Sequence, residues 1–549
     1  MINLNNNKGR LKKSSFKKNI FILFISHVFI KILGVINKIY LTNKEGFGDE
    51  GNAIYSSAFQ IYALFLTITS IGIPNAVSKL VSEKLAIGDT RGAHKIFKIT
   101  ILAFGSLGFI VSVFVFLFAS TIANNWIQIP EAELCLLALS PSIFFVSITS
   151  VIKGYFNGRE NLSVGANSQT TEQIFRTAIT IILIEFIAQT TGLDTKIMAA
   201  GAAVASTLAE ISCFIYLYRY YKSVQKEIAN EIKLSVNYKY MGRRKTIKEI
   251  LFVSIPMSIA PVIGGINKNI DSMTIVRNLK KFMSETDAKL QYGILSGKID
   301  TLVAFPLSFN AAFTSTLIPA VSAAKASGNF EIAKRKIEFS MLISILIGFP
   351  CTMGMIILAE PILKLLFPNQ PSGAFLLQIS SASITFIMLN QNVSAILHGL
   401  GKTIIPAISL IIGSFIKLTL NTILVQINPN IYWFGGTAGA AIATVACNVI
   451  TLLISINILK RNIFINIGMK KIIKSIVATI MMSITMIFIY KNLLSIISEK
   501  MCIILTILIA ITVYVIVILI LNIFSEQEIK VLPFGNSIYK ILKLLKIYK

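Results

Sequence analysis

Apolar residues run in blocks of about twenty along this chain, separated by short polar or basic stretches. A helix needs about 20 such residues to cross the hydrocarbon core of a bilayer. Fourteen blocks meet that length, at roughly 19–41, 53–80, 98–122, 132–153, 164–188, 197–218, 249–276, 294–319, 338–359, 373–397, 404–425, 434–458, 472–490 and 501–523. The pattern predicts an all-α polytopic membrane protein with about 14 transmembrane helices. The first, fifth, seventh and eighth blocks are set apart by carrying at least two charges away from their ends.

Composition agrees. Apolar residues make up 54% of the 549 positions and charged residues 14%, against about 25% charged in a soluble domain. The five cysteines, Cys135, Cys213, Cys351, Cys447 and Cys502, stand singly in apolar stretches, and the three histidines form no cluster. Neither set has metal or redox spacing, which argues against a metalloenzyme and implies no metal site. The net charge of +27 has no nucleic-acid motif beside it. It follows instead from the accumulation of Lys and Arg in cytoplasmic loops. With the N-terminus inside and alternate loops assigned in turn, cytoplasmic segments hold 37 of the 52 Lys+Arg and outer loops 8. Both termini are then cytoplasmic, in a multi-pass protein of the bacterial plasma membrane. Residues 1–18 are polar and basic, and no small-residue cleavage site follows them. The C-terminal stretch 524–549 reads either as an amphipathic helix on the anionic inner leaflet, with Ile538, Leu542 and Leu545 on one face, or as a solvated basic tail.

The chain also repeats itself. Ile73-Pro74-Asn75-Ala76-Val77-Ser78 recurs as Ile318-Pro319-Ala320-Val321-Ser322. Gly158 precedes Arg176 by 18 residues, as Gly399 precedes Lys417, and Gly201-Ala202-Ala203-Val204-Ala205 recurs as Gly439-Ala440-Ala441-Ile442-Ala443. The offsets are 245, 241 and 238 residues, in one chain order. Six spans per repeat is an even number, so both halves insert in the same orientation and the natural binding site is the cleft between them. The expected organisation is a cytoplasmic tail (1–18), an N-lobe (19–218), a basic cytoplasmic linker (219–248), a C-lobe (249–458), two extra spans (472–523) and the basic tail (524–549).

Charges at bilayer depth cost several kcal/mol unless they face protein or water. Here they are Lys31 and Lys38 in span 1, Glu172, Arg176 and Glu185 in span 5, and Glu210 in span 6. Span 7 holds Lys268, Asp271 and Arg277, span 8 holds Lys298 and Asp300, and span 11 holds Lys417. Glu172 and Arg176 are spaced i,i+4 and Lys268 and Asp271 i,i+3, as helical ion pairs are. A packing role stands level with a functional one for Lys268, Arg277, Glu185 and Glu210. For Lys31, Arg176, Lys298 and Lys417 function is favoured, because the cations outnumber the acids seven to five. A cavity with surplus positive charge suits an anion such as pyrophosphate. Lys31, Lys38, Arg176, Lys298 and Lys417 are therefore the candidate headgroup-binding residues, with Glu172, Lys268, Asp271 and Asp300 in support.

Gly399-Leu400-Gly401-Lys402-Thr403 resembles a phosphate loop, but Ile396 stands where the first glycine belongs and the segment joins two spans. No ATP site or other cofactor is expected. An ion gradient, the membrane potential or substrate flux must drive transport, and an inside-negative potential favours outward movement of an anion by about 2.3 kcal/mol per charge per 100 mV.

The stretches Ile32-Leu33-Gly34, Gly46-Phe47-Gly48, Gly72 through Glu83, and Gly88-Asp89 resemble the polysaccharide-exporter branch of the multidrug/oligosaccharidyl-lipid/polysaccharide superfamily. Within it they are most similar to the lipid II flippase and stage V sporulation protein B group. Gly154-Tyr155-Phe156-Asn157-Gly158, Ser168-Gln169, Glu172-Gln173-Ile174-Phe175-Arg176, Ile270-Asp271, Phe305-Pro306, Thr316 through Ala320, Gly328-Asn329, His398 through Lys402 and Lys417 through Asn421 extend the similarity over essentially the whole chain. The resemblance implies two lobes alternating around a cationic cavity for a pyrophosphate–sugar headgroup, and a groove for the polyprenyl tail formed by spans 13 and 14. It implies that Lys31 and Lys38 match basic residues of span 1 and that Arg176 matches that of the Glu-Gln-x-x-Arg motif. The group's cation before Leu302 is missing, since Thr301 stands there, and Lys298 one turn earlier is the candidate substitute. The expected partners are the bilayer and a polyprenyl-pyrophosphate-linked glycan, carried by a monomer that cell-wall synthesis proteins are candidates to join. Peptidoglycan precursor (lipid II) is the leading substrate and another lipid-linked oligosaccharide the alternative. A cation-coupled multidrug exporter fits the lysines less well, and a membrane enzyme would need a large outer loop or an acidic catalytic motif.

Overall fold

The computed structural model describes residues 16–235, 242–327, 330–461, 468–525 and 528–529. The basic C-terminal tail and most of the N-terminal tail lie outside the described residues, among which no strand occurs. The chain folds as two compact units, Met1–Lys298 and Ile299–Lys549.

The first unit contains α1 (Phe16–Asn43), α2 (Gly48–Leu66), α3 (Gly72–Ala86), α4 (Thr90–Leu117), α5 (Ala119–Thr121), α6 (Ala132–Gly158), α7 (Leu162–Thr191), α8 (Thr195–Lys233), α9 (Arg243–Leu279) and α10 (Glu285–Gly293). The second contains α11 (Asp300–Ser327), α12 (Phe330–Ile357), α13 (Ala359–Leu366), α14 (Ala374–Ser381), α15 (Ser383–Gly399), α16 (Ile404–Leu424), α17 (Gly436–Lys460), α18 (Met469–Leu493) and α19 (Glu499–Ile520). Among the described residues, three π-helical turns interrupt the winding, at Thr67–Ile71, Ile122–Ile127 and Ile294–Ile299.

Each of the fourteen apolar blocks falls on a helix or on consecutive helices. Ten helical segments among the described residues are long and apolar enough to cross a membrane, and α9 adds an eleventh, bent by 53° between Arg243–Ile255 and Ser258–Leu279. The break spans residues 256–257, and the sequence has a proline at 256, which lacks the backbone N–H that an uninterrupted helix needs. The protein is an all-α polytopic membrane protein. The multiply charged blocks one, five and seven lie on α1, α7 and α9, and block eight lies on the π-helical turn Ile294–Ile299 and α11.

In the first unit α7 runs along α8, α6 packs on α4 and α8, and α1 lies on α7. At 39 residues α8 is about 58 Å long at 1.5 Å per residue, well beyond a hydrocarbon core of about 30 Å. Its last turns therefore convert much of the expected linker 219–248 into helix. There Thr90 Oγ1 donates to Glu231 O at 3.1 Å, Asn161 Nδ2 donates to Tyr220 OH at 3.0 Å, and Arg159 pairs with Glu231. In the second unit α16 packs on α17 and α11 on α15 and α12, while α18 and α19 pair and α18 lies against α12. Tyr514 OH pins α19 to α12 by donating to Leu346 O at 2.8 Å.

The internal repeat is visible in the packing. A Cβ at Gly158 would lie 2.7 Å from Ser78 O, and one at Gly399 would lie 2.7 Å from Val321 Cβ. In each unit the helix carrying the Ile-Pro motif thus presses on the helix that ends in the repeated glycine, at a distance only glycine permits. Repeat and contact nevertheless divide the chain at different places. The repeat begins anew at block seven, whereas α9 packs on α2, α3 and α4 of the first unit. Gly72 makes that approach possible, since a Cβ there would lie 2.7 Å from Ser254 O, and Asn269 Nδ2 secures it by donating to Gln60 O at 3.1 Å.

Candidate functional site

Lys31 and Lys38 lie two turns apart on one face of α1. Lys31 is exposed, and Lys268 of α9, also exposed, stands close enough to act on its charge. Two ammonium groups within reach of each other repel unless an anion comes between them. Lys38 is half-buried, with Nζ donating to Ser56 Oγ at 3.4 Å and lying 6.0 Å from the centre of the Tyr55 ring. Tyr55 OH in turn meets Ser206 Oγ of α8 at 2.9 Å. Lys268, a supporting residue on sequence grounds, thus joins the leading cations.

Arg176 lies deeper. Its guanidinium donates to Glu172 Oε1 at 2.7 Å and to Glu210 Oε1 at 3.4 Å. Lys153 of α6 lies within electrostatic reach of both carboxylates and of Cys213. Two acids and two bases make this cluster neutral when all are ionised. The ligand atoms of Glu172, Glu210 and Cys213 come within 4.8 Å of one another, a spacing that suits a metal ion. Arg176 already occupies both carboxylates, and with Lys153 it supplies the positive charge a metal would bring. Arg176 is therefore not a surplus cation but the neutralising centre of a buried cluster.

Lys298 departs furthest from its expected setting. It is 0% exposed, and its Nζ donates to Asp49 Oδ2 at 2.8 Å, with Asp49 2% exposed. In this structure its ammonium is spent on a protein carboxylate and faces no open space. The reason is local, because Gly293 and Gly297 let the turn that carries Lys298 lie directly on the start of α2. Asp300, which opens α11, is exposed, and Asp271 on α9 is half-buried. Lys417 belongs to the second unit, 4% exposed on the α16 face that also buries Gly413, Ser414 and Asn421. Glu185 pairs with Lys44 at 2.6 Å and accepts from Tyr40 OH at 2.6 Å.

The sequence reading missed three features. Lys153 stands at the last position of block four, and Asp49 lies before block two, so neither registers as a charge within a span. The third is a neutral polar network in the second unit. Asn310 Nδ2 donates to Gln391 Oε1 at 2.8 Å, Ser344 Oγ to Asn310 Oδ1 at 2.6 Å, and Thr314 Oγ1 to Asn392 Oδ1 at 2.7 Å. It ties α11, α12 and α15 together and carries no charge that a count would register.

Outside the spans, Lys289 of α10 binds Glu131 at 2.6 Å and Glu285 at 3.0 Å, and Lys280 donates to Gln128 O at 3.2 Å. Burial works to lower the Lys289 pKa, but the hydrogen bonds and charges of Glu131 and Glu285 outweigh it and leave the value raised. The Lys289 hydrogen bond in turn holds the Glu285 carboxyl below its ordinary value.

Residues 16–325 match the family described as polysaccharide biosynthesis protein. The chain belongs to that family. Its residues 292–423 also match the MatE family. The chain is 24% identical over 450 residues to stage V sporulation protein B of Bacillus subtilis, covering 81% of this chain and 83% of the relative. It is 25% identical over 469 residues to the lipid II flippase MurJ of the same organism, covering 82% and 83%. A solved lipid II flippase MurJ in an inward closed conformation superimposes with a TM-score of 0.68 at 17% identity, over 90% of this chain and 98% of the other. An inward-facing multidrug resistance MATE transporter gives 0.60 at 16%, over 80% and 99%. Membership of the polysaccharide biosynthesis family places the chain in the flippase branch of the superfamily anticipated from its motifs, among transporters rather than enzymes. The fold is the one shared by MurJ and MATE proteins.

Proposed function

We propose that this chain is a flippase that carries a polyprenyl-pyrophosphate-linked glycan from the inner to the outer leaflet of the bacterial plasma membrane, with lipid II as the substrate. The observation that carries the reading is the pair Lys31 and Lys268, two exposed ammonium groups on α1 and α9 close enough to interact, with Lys38 further along the same face of α1. Arg176 and Lys298 have carboxylate partners, so Lys31 and Lys268 are the leading cations for a headgroup in the first unit, with Lys38 beside them on α1 against Ser56 and Tyr55. Lys417 of the second unit keeps its place as a candidate. Similarity to a lipid II flippase and to a sporulation protein at nearly equal identity supports a lipid-linked cell-wall glycan. The loop charges, 37 against 8, support cytoplasmic termini. An inside-negative potential then favours outward movement of the anionic headgroup.

The test is complementation of a strain depleted of its lipid II flippase. Rescue by the wild type and loss of rescue by Lys31→Ala and Lys268→Ala, at equal membrane abundance, is the expected result. Rescue by all three proteins would remove the cation pair from the mechanism. Failure of the wild type alongside export of another lipid-linked oligosaccharide would move the substrate to that glycan.

A further inference from the structure

Asp49 lies in the first turn of α2, and Lys298 lies near the end of the π-helical turn Ile294–Ile299, 249 residues further along the chain. Their ion pair is almost wholly shielded from solvent. The backbone around it is pressed together. A Cβ at Gly293 would run into Asp49 O, and one at Gly297 would meet Asn52 Cβ at 2.7 Å. Asn52 is fully buried beneath the turn; its Nδ2 donates to Thr42 Oγ1 at 2.9 Å, and its Oδ1 has no hydrogen-bond partner among the described residues. A buried acceptor left unmatched is uncommon in a packed helix contact.

Two physical properties make this junction movable. The attraction within a buried ion pair is largely offset by the desolvation of its two charges, and a pyrophosphate, which brings more than one negative charge, competes with the resident carboxylate once the opened turn lets water reach Asp49. A π-helical turn holds one residue more than the α-helical winding it replaces, and such turns concentrate at functional positions. Sliding that residue out rotates the following side chains by about 100°, one residue's share of a 3.6-residue turn. That rotation is enough to swing Lys298 off Asp49.

We propose that Asp49 and a pyrophosphate compete for Lys298, so that the Asp49–Lys298 pair is an exchangeable pin. With no anion present, Lys298 stays on Asp49 and the turn is clamped on α2. When the pyrophosphate of a lipid-linked substrate draws Lys298 away, the turn rewinds and lifts from Asn52. This reconciles the headgroup role read from the sequence with the buried pair in the structure. The inference rests on the flippase reading above for the identity of the anion.

The test uses the full chain with its five native cysteines replaced and one reporter, Asn52→Cys, whose rate of maleimide labelling reports access beneath the turn. Thr42→Cys, equally buried, is the second reporter should the first not fold. Labelling is expected to be slow without ligand and several-fold faster with undecaprenyl pyrophosphate. Inorganic pyrophosphate is run in parallel: acceleration by it shows that charge alone drives the exchange, and acceleration by the lipid form alone assigns the site to the membrane-borne headgroup. Asp49→Asn is expected to label fast without any ligand, and the reversed pair Asp49→Lys with Lys298→Asp is expected to label slowly again. Slow labelling of Asp49→Asn, or no response to either pyrophosphate, would overturn the pin. Lipid translocation measured on the same preparation separates the two readings. Transport with unresponsive labelling rejects the pin alone, and responsive labelling without transport rejects the flippase reading alone.

Discussion

The charged residues sort by what surrounds them rather than by their sign. Lys31 lies within electrostatic reach of Lys268, whereas Arg176 is held between Glu172 and Glu210. Their substitutions should therefore fail in different ways. Arg176→Ala leaves Glu172 and Glu210 facing Lys153 alone, one negative charge uncompensated, and uncompensated buried charge costs about 3–5 kcal/mol. The expected outcome is a large loss of thermal stability in detergent, read by size-exclusion after heating. Lys31→Ala removes an exposed group and should leave stability within about 0.5 kcal/mol, while weakening transport. Equal thermal losses in the two variants would contradict this division. Why the pairing was not legible in the sequence is also a matter of single residues. Glu172 and Arg176 are four apart and announce themselves, but Glu210 is 34 residues from Arg176 and Asp49 is 249 from Lys298. A count of charges per span cannot find partners at that distance.

At the scale of elements, hydropathy located the helices well because length and apolarity are what a bilayer demands of each span separately. It did not show that α8 extends to Lys233 or that α9 bends by 53°. The reach of α8 goes with contacts far along the chain, such as Arg159 with Glu231, and the break in α9 spans only residues 256–257, too short to register in a span-length hydropathy pattern. The repeated glycines were legible as a pattern, and their role became plain only where helices meet. Gly158→Ala and Gly399→Ala should each force apart a tight contact, at about 1–3 kcal/mol for overpacking. Matched drops in melting temperature would confirm equivalent places in the repeat, and a silent Gly399→Ala would argue against it. The α10 ion pairs set a pH window. Glu285, with its pKa lowered, contributes stability above the ordinary carboxylate range, and that contribution is lost as pH falls through the folded-state value. Lys289, with its pKa raised, contributes below the ordinary lysine value and loses that contribution as pH rises through the folded-state value. Exchange-rate-corrected amide protection of α10 should be level across neutral pH and fall at both extremes, with Glu285→Gln blunting the acidic fall.

For the whole molecule, family and fold were legible from motifs spread along the chain, from Gly72-Ile73-Pro74-Asn75 to Lys417-Leu418-Thr419. What motifs do not state is which cations remain to meet a substrate. A surplus of seven over five is a property of composition, while the set Lys31, Lys268 and Lys38 is a property of the fold. The account stands on those lysines meeting a lipid-linked anion, and the most direct measurement is translocation of a fluorescent lipid II across proteoliposomes containing the purified chain. One lost charge-assisted contact of about 1.5–3 kcal/mol corresponds to a fall of roughly tenfold or more in rate. The account predicts translocation by the wild type and a fall of that order in both Lys31→Ala and Lys268→Ala. No translocation, or translocation that both variants sustain at the wild-type rate, would contradict it.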